Sequence, residues 1–192
     1  MKEDFIDNKV GHKMEKVTPI KKKICLLGSF AAGKTSLTTR FVYDRFEEKY
    51  LITIGVKISE KTMPPLALTE KGKFIQHTFL LWDIAGCDKF DSVTKNYYRG
   101  AAGALAVADL TRPETIGELQ NFCDRFLTVN PDAKLVIVGN KLDIFQNHDR
   151  TLSDLKKAAA RYSAVFELTS AKTGKGVEDA FLTLSQYIGA GL

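Results

Sequence analysis

The residues Gly28-Ser29-Phe30-Ala31-Ala32-Gly33-Lys34-Thr35 have the types and spacing to hold a run of phosphates. In the pattern G-x-x-x-x-G-K-[ST], glycines at the first and sixth positions let the backbone turn where a side chain would obstruct it. Successive main-chain N–H groups, from Ala31, Ala32 and Gly33 through to Ser36, can then face one concavity. Lys34 adds a mobile cation for the β- and γ-phosphates, and the Thr35 hydroxyl can ligate Mg²⁺. A helix opening at this point turns its positive end toward the anion. Three further clusters carry chemistry. In Asp83-Ile84-Ala85-Gly86 the carboxylate can hold Mg²⁺ through water, and Gly86 can bring its N–H close to a terminal phosphate. In Asn140-Lys141-Leu142-Asp143 the Asp143 oxygens suit adjacent donors such as N1–H and the 2-amino group of guanine, a pair that adenine lacks. Asn140 can tie loops together or meet the base edge, and the Lys141 stem can lie along the ring. Thr169-Ser170-Ala171-Lys172 is a small-residue turn able to present a backbone N–H to a carbonyl oxygen.

The elements around these clusters alternate. Lys21–Leu27 reads as a buried strand and Ser36–Asp44 as an amphipathic helix, the setting that the phosphate pattern requires. Arg45–Ile52 is polar and aromatic, as an exposed loop would be. Thr53–Thr62 and Lys73–Asp83 read as neighbouring strands joined by a long hairpin connection, Met63–Gly72, which Met63-Pro64-Pro65 opens. Ala102–Leu110 is a fully buried strand by its nearly unbroken apolar run. Pro113 starts a helix through Phe126, Ala133–Gly139 is a strand, and Ser153 can cap a helix to Tyr162. Val165–Leu168 and Val177–Ile188 close the chain as strand and helix. Strands separated by helices imply a mostly parallel sheet covered on both faces. In such folds ligands lie outside the carboxyl ends of the strands, where all four clusters fall.

Composition narrows the partners. The 192 residues, 44% hydrophobic, suffice for one core and one domain. Of the net charge of +5, residues 1–23 supply +3, from seven lysines against four acids. With Phe5 alone among aromatics there, this reads as a flexible basic tail rather than a nucleic-acid arm, able at most to make weak contact with an anionic membrane. Cys25, Cys87 and Cys123 have neither disulfide nor zinc spacing, which points to reduced thiols in the cytoplasm. Ala101–Ala108 is too short to span a bilayer, and no leader-like apolar stretch opens the chain. No cysteine follows Cys123 and Lys2 occupies the myristoylation position, so no lipid anchor is expected.

The phosphate loop, Asp-x-x-Gly, Asn-Lys-x-Asp and Ser-Ala-Lys occur in that order, each after a strand. From Lys21 to Ile188 the chain resembles the small GTPases of the Ras superfamily. It is most similar to the Rab branch, through Thr53-Ile54-Gly55-Val56, Trp82-Asp83, Tyr97-Tyr98-Arg99-Gly100-Ala101 and Ser170-Ala171-Lys172-Thr173-Gly174. The resemblance implies a P-loop NTPase G domain over residues 21–190, with a six-stranded mostly parallel sheet, preceded by a flexible tail over 1–20. It implies GTP/GDP and Mg²⁺ as cofactors, with Thr35, Thr53 and Asp83 around the metal. Phe46 would brace the guanine and Tyr50 close over the phosphates. Lys34, Thr53, Gly86 and Cys87 would surround the bond that is hydrolysed. Segments Arg45–Gly55 and Ile84–Lys95 would be nucleotide-dependent switches that bind effectors, with an exchange factor and a GTPase-activating protein acting on a monomer. Ile58, Trp82 and Tyr97 match an exposed hydrophobic triad of Rab proteins, with plain core packing the competing reading.

Two departures bear on catalysis. Cys87 stands where the family has its water-positioning glutamine, and a thiol is a weak donor and a weak acceptor. Phe30 stands where the family commonly has glycine, and its ring would crowd an incoming arginine finger, although Ala-Ala-Gly-Lys-Thr also resembles the Arf branch. The expectation is a guanine-nucleotide switch with slow hydrolysis, with Asp88 or a partner supplying catalytic groups. The alternative is a GTP-locked, non-hydrolysing interaction module acting through its switches. Cys87 near Lys89 is also a candidate redox-sensitive thiol, against an inert substitution. An adenine-nucleotide enzyme on the same loop is disfavoured by Asp143.

Overall fold

A computed structural model describes residues 16–47, 53, 55–67, 73–85, 92–146 and 149–190. The elements run β1 (Lys16–Leu27), α1 (Lys34–Tyr43), β2 (Val56–Thr62), β3 (Leu66–Ala67), β4 (Lys73–Ile84), α2 (Ser92–Tyr98), β5 (Gly103–Asp109), α3 (Glu114–Val129), β6 (Lys134–Asn140), α4 (Asp149–Arg161), β7 (Val165–Leu168) and α5 (Val177–Gly189). The sheet order is β2-β4-β1-β5-β6-β7, with β3 paired to β4 off this path. β2 and β3 run antiparallel to β4, and every other pairing is parallel. This is the expected P-loop G-domain sheet of six strands, with the two-residue β3 as a seventh. β1 lies where the strand order reverses, with β4 on one side and β5 on the other, so the loop leaving it opens into the crevice.

Strand alternation divides the core between the two faces. Ile24 and Leu26 of β1, Leu105 and Val107 of β5, and Val136 and Val138 of β6 pack with Leu37, Phe41, Phe181 and Leu184 of α1 and α5. Phe41 and Phe181 stack with ring centroids 3.8 Å apart. Cys25, Leu27, Leu135 and Ile137 face the other way, with Leu119, Phe122 and Phe126 of α3 and Leu155 of α4. On β5 the residues on this second face are Ala104, Ala106 and Ala108, all fully buried. Their small side chains leave the volume that the α3 phenylalanines fill.

Several boundaries differ from those expected. β1 begins at Lys16, so residues 16–20, assigned from composition to the tail, are strand paired with Lys73–His77 of β4. Lys16, Thr18 and Pro19 break the hydropathy pattern there, although polar residues can sit in a sheet while the backbone still pairs. Ala102 N–H donates to the Lys23 carbonyl (2.9 Å), so Lys23 faces β5, and alternation turns Lys21, Pro19 and Val17 to that same side. Before Lys23 no described strand occupies it. Pro19 therefore costs no ladder bond and blunts the edge. α2 was not anticipated; it falls partly within the expected second switch. α4 starts at Asp149, ahead of Ser153, because Thr151, Leu155 and Ala159 already form one buried stripe at helical spacing. α3 continues to Val129, beyond Phe126, and β2 begins at Val56 rather than Thr53.

Candidate functional site

The loop between β1 and α1 has the shape its glycines require. Gly28 adopts φ +130, and a Cβ there would stand 2.1 Å from the Val107 carbonyl oxygen. The neighbouring β5 backbone thus excludes any side chain. Gly33, at φ +97, opens α1 without a side-chain cap, so the first N–H groups of the helix are left to other acceptors. Ala31 also lies in the left-handed region, at φ 60. Ala32 is fully buried and Ser36 sits in the first helical turn. The Lys34 ammonium donates to the carbonyls of Gly28 (2.7 Å) and Ser29 (2.9 Å), which holds it inside the loop.

Three oxygens meet at the head of α1. Thr35 Oγ1 donates to Asp83 Oδ2 at 2.6 Å and lies 2.7 Å from Thr53 Oγ1. Asp83 is fully buried at the end of β4, and its Oδ1 has no hydrogen-bond partner among the described residues. Burial raises its pKa, against the opposing effects of the Thr35 hydroxyl and the Lys34 and Lys57 charges. An ionised carboxylate with one oxygen unsatisfied in a dry site is stabilised by a cation. The donor set, two hydroxyls and a carboxylate, fits a hard ion such as Mg²⁺.

The strand ends beyond β5 form the second half of the site. Asn140, 1% exposed, donates from Nδ2 to the Ala32 carbonyl (3.1 Å). Its Oδ1 accepts from Thr169 Oγ1 (3.1 Å) and from Ala171 N–H (3.2 Å). Of the two roles open to Asn140, the structure shows the loop tie. Lys141, at φ 67, places its ammonium 2.6 Å from Asp109 Oδ2. The exposed Asp143 accepts the Ser170 hydroxyl at 2.6 Å, and Ser170 Oγ in turn accepts Thr173 N–H at 3.1 Å. Ala171 is buried and Lys172 exposed on the same turn. Phe46 is half-buried against the α1–α5 core. Tyr50, Gly86, Cys87, Asp88 and Lys89 lie outside the described residues.

Asp109, Arg112 and Arg40 escaped the sequence reading. Asp109 is buried at the end of β5 and accepts from Lys141, from Arg112 Nε (3.0 Å) and from the Thr111 N–H and hydroxyl. Burial acts to raise its pKa, but these donors outweigh it and hold the carboxyl below the ordinary range. Arg112 also donates from Nη2 to the Phe30 carbonyl (2.9 Å), and the Ser29 hydroxyl bonds to Glu118. A charged residue closing the apolar run Ala102–Leu110 was the available signal for Asp109, by the same rule that singled out Asp83. The Phe30 ring is 51% exposed on this rim. At the β2 edge of the sheet Ile58 is 52% exposed opposite Trp82, whose ring centroid lies 6.4 Å from that of Tyr97. Trp82 and Tyr97 are half-buried and pack against the α3 core, whereas Ile58 is exposed. Lys23 Nζ lies 3.7 Å over Trp82.

A mostly parallel sheet with a glycine-bounded loop at its reversal point and oxygens converging on the first helix defines a P-loop nucleotide-binding protein. The Ras family model matches residues 23–190. Ras-related protein Rab-31 of Mus musculus is 35% identical over 167 residues, covering 86% of this chain and 82% of that protein. Rab-22A of Homo sapiens matches with the same identity and coverage. Rab-4 of Dictyostelium discoideum is 33% identical, over 86% of this chain and 78% of its own length. The chain belongs to the Ras family of small GTPases and is Rab-like: a GTP-binding molecular switch. Among the described residues no helix is long and apolar enough to cross a membrane.

Proposed function

We propose that this chain is a magnesium-dependent guanine-nucleotide switch whose own hydrolysis of GTP is slow. The observation that carries the reading is the meeting of Thr35, Thr53 and the unsatisfied Asp83 carboxylate beside an uncapped helix start, with Asn140 fastening that loop to Thr169 and Ala171, on the turn whose Ser170 holds Asp143. Phosphates fit the main-chain N–H groups of Ala31, Ala32, Gly33, Lys34, Thr35 and Ser36, with Lys34 exchanging its contacts on Gly28 and Ser29 for phosphate oxygens. Mg²⁺, when bound by Thr35, Thr53 and Asp83, would neutralise charge on the β- and γ-oxygens. Asp143, held by Ser170, accepts from the guanine edge; Lys141 and Phe46 flank the ring; and the Ala171–Lys172 turn meets its carbonyl oxygen. Tyr50 and Gly86, outside the described residues, are assigned to the phosphates by family resemblance alone.

Hydrolysis joins a water oxygen to the γ-phosphorus and breaks its bond to the β–γ bridging oxygen. The family places a glutamine amide on that water, and this chain has Cys87, which can neither accept nor donate well there. The exposed Phe30 ring stands on the rim that an arginine supplied in trans would have to cross. A GTP-locked interaction module is the second reading, favoured by these same two positions. Segments Arg45–Gly55 and Ile84–Lys95 would be the switches that meet effectors, an exchange factor and an activating protein, and Ile58, Trp82 and Tyr97 the hydrophobic triad for effectors. The test is single-turnover hydrolysis of bound GTP by the unmodified protein and by Cys87→Gln. The reading expects a slow rate that Cys87→Gln raises about tenfold or more, as restoring a water-positioning group does. A fast rate in the unmodified protein contradicts it.

A further inference from the structure

The most constrained cation near the base-reading turn is Arg40, in the last turn of α1, with a side chain only 17% exposed. Its Nε donates to the Ala171 carbonyl at 3.0 Å and its Nη2 to the Lys172 carbonyl at 2.7 Å. Nη1 donates to the Asp44 carbonyl (3.1 Å) and to Asp44 Oδ1 (3.2 Å). The Asp44 carboxylate is 97% exposed and adds little. Bonds from one rigid, planar fork to two consecutive carbonyls fix the planes of two consecutive peptides. The peptide between Ala171 and Lys172 is trans, so its N–H points opposite to its C=O. With the Ala171 carbonyl drawn onto α1, the Lys172 N–H is turned away from α1. No hydrogen bond of that N–H is present among the described residues, whereas the Ala171 N–H is already committed to Asn140 Oδ1.

We infer that Arg40 is a positioning residue for base recognition: it sets the orientation of the Lys172 N–H that meets the 6-oxo group of guanine. The inference rests on the guanine reading above and adds a residue that does not itself touch the nucleotide. The same guanidinium holds the carbonyl of Asp44, which caps α1 two residues before Phe46. One side chain thus joins the turn facing the base carbonyl to the chain leading to the residue that flanks the ring.

A tie that only stabilised the fold would weaken all nucleotides alike. A tie that aims one donor weakens only those with a good acceptor at position 6. Affinities of the full chain with Mg²⁺ are therefore compared for GDP, IDP and 6-thio-GDP. IDP keeps the 6-oxo group and loses the 2-amino group, whereas 6-thio-GDP replaces the oxygen with a poor acceptor and keeps the edge read by Asp143. Arg40→Ala is expected to weaken GDP and IDP equally, by about tenfold, the size of one well-aimed hydrogen bond, and 6-thio-GDP by no more than about twofold. Arg40→Lys retains charge and stem but cannot span two carbonyls, and is expected to give the same order at about threefold. If Arg40→Ala loses its cooperative thermal transition, Arg40→Lys carries the comparison. Equal losses for all three nucleotides overturn the positioning role while leaving the guanine reading intact. Failure of the unmodified protein to bind GDP overturns the guanine reading itself.

Discussion

A Cβ placed on Gly33 would stand 2.2 Å from Asn140 Nδ2, the atom that donates to the Ala32 carbonyl. The two halves of the site, phosphate loop and base-reading strand end, are in contact only because position 33 has no side chain. Gly33→Ala meets both this clash and the strain of φ +97. It is expected to lose nucleotide binding by at least about a hundredfold in equilibrium titration. Asn140→Ala leaves the Ala32 carbonyl, Thr169 hydroxyl and Ala171 N–H without their partner. Chemical denaturation should show a loss of ~2–3 kcal/mol even without nucleotide.

Asp83 gives a prediction about the metal. In the unmodified protein, chelating Mg²⁺ should accelerate GDP release strongly if, as proposed, the ion joins the nucleotide to Thr35 and Asp83. Asp83→Asn should release GDP rapidly at the outset and respond little to chelator. Stopped-flow release with and without chelator measures this directly. A variant that still responds as the unmodified protein does would remove Asp83 from the metal site.

His77 sets a pH dependence away from the site. It is fully buried in β4, with Nδ1 2.9 Å from Ser185 Oγ and no hydrogen-bond partner for Nε2 among the described residues. Burial, and secondarily the Lys22 charge, lower its pKa below the ordinary 6.5. The unfolded chain then binds a proton first. The stabilising contribution is complete above 6.5 and is lost as pH falls from there through the depressed folded value. Urea midpoints measured between pH about 7.5 and 5.5 should decline, and the double variant His77→Phe with Ser185→Ala should flatten that slope.

Asp109 should matter to the nucleotide without touching it. Asp109→Asn removes the anion that anchors the Lys141 ammonium and the Arg112 fork, so GDP release should quicken by about three- to tenfold while the fold persists. Release measured with a fluorescent GDP decides this. An unchanged rate would show that Lys141 needs no anchor.

The sequence was readable wherever a local pattern met a strand end. The glycine-bounded loop, Asp83, Asn140 and the Ser170–Lys172 turn all lie where the alternation of strands and helices put them. The apolar runs of β5 and β6 were equally plain. The first residues of β1, 16–20, were hidden because Lys16, Thr18 and Pro19 interrupt the apolar pattern, and a hydropathy pattern cannot register a strand whose pairing runs through the backbone. The start of α4 was hidden because Thr151 contributes a buried helical position without being apolar. Arg40 and Arg112 each have a carboxylate nearby, Asp44 and Asp109, but what makes them bridges is a main-chain carbonyl 131 or 82 positions away, which carries no residue-specific signature. Tyr50, Gly86 and Cys87 remain expectations of the sequence, since they lie outside the described residues.

Calorimetric titration of the nucleotide-free chain with GDP and with ADP, both in Mg²⁺, bears most directly on the guanine-nucleotide reading. The account predicts that GDP binds at least about a thousandfold more tightly than ADP, and that Asp143→Ala abolishes most of that preference. Equal affinity for the two nucleotides, or a guanine preference that survives Asp143→Ala, would contradict it.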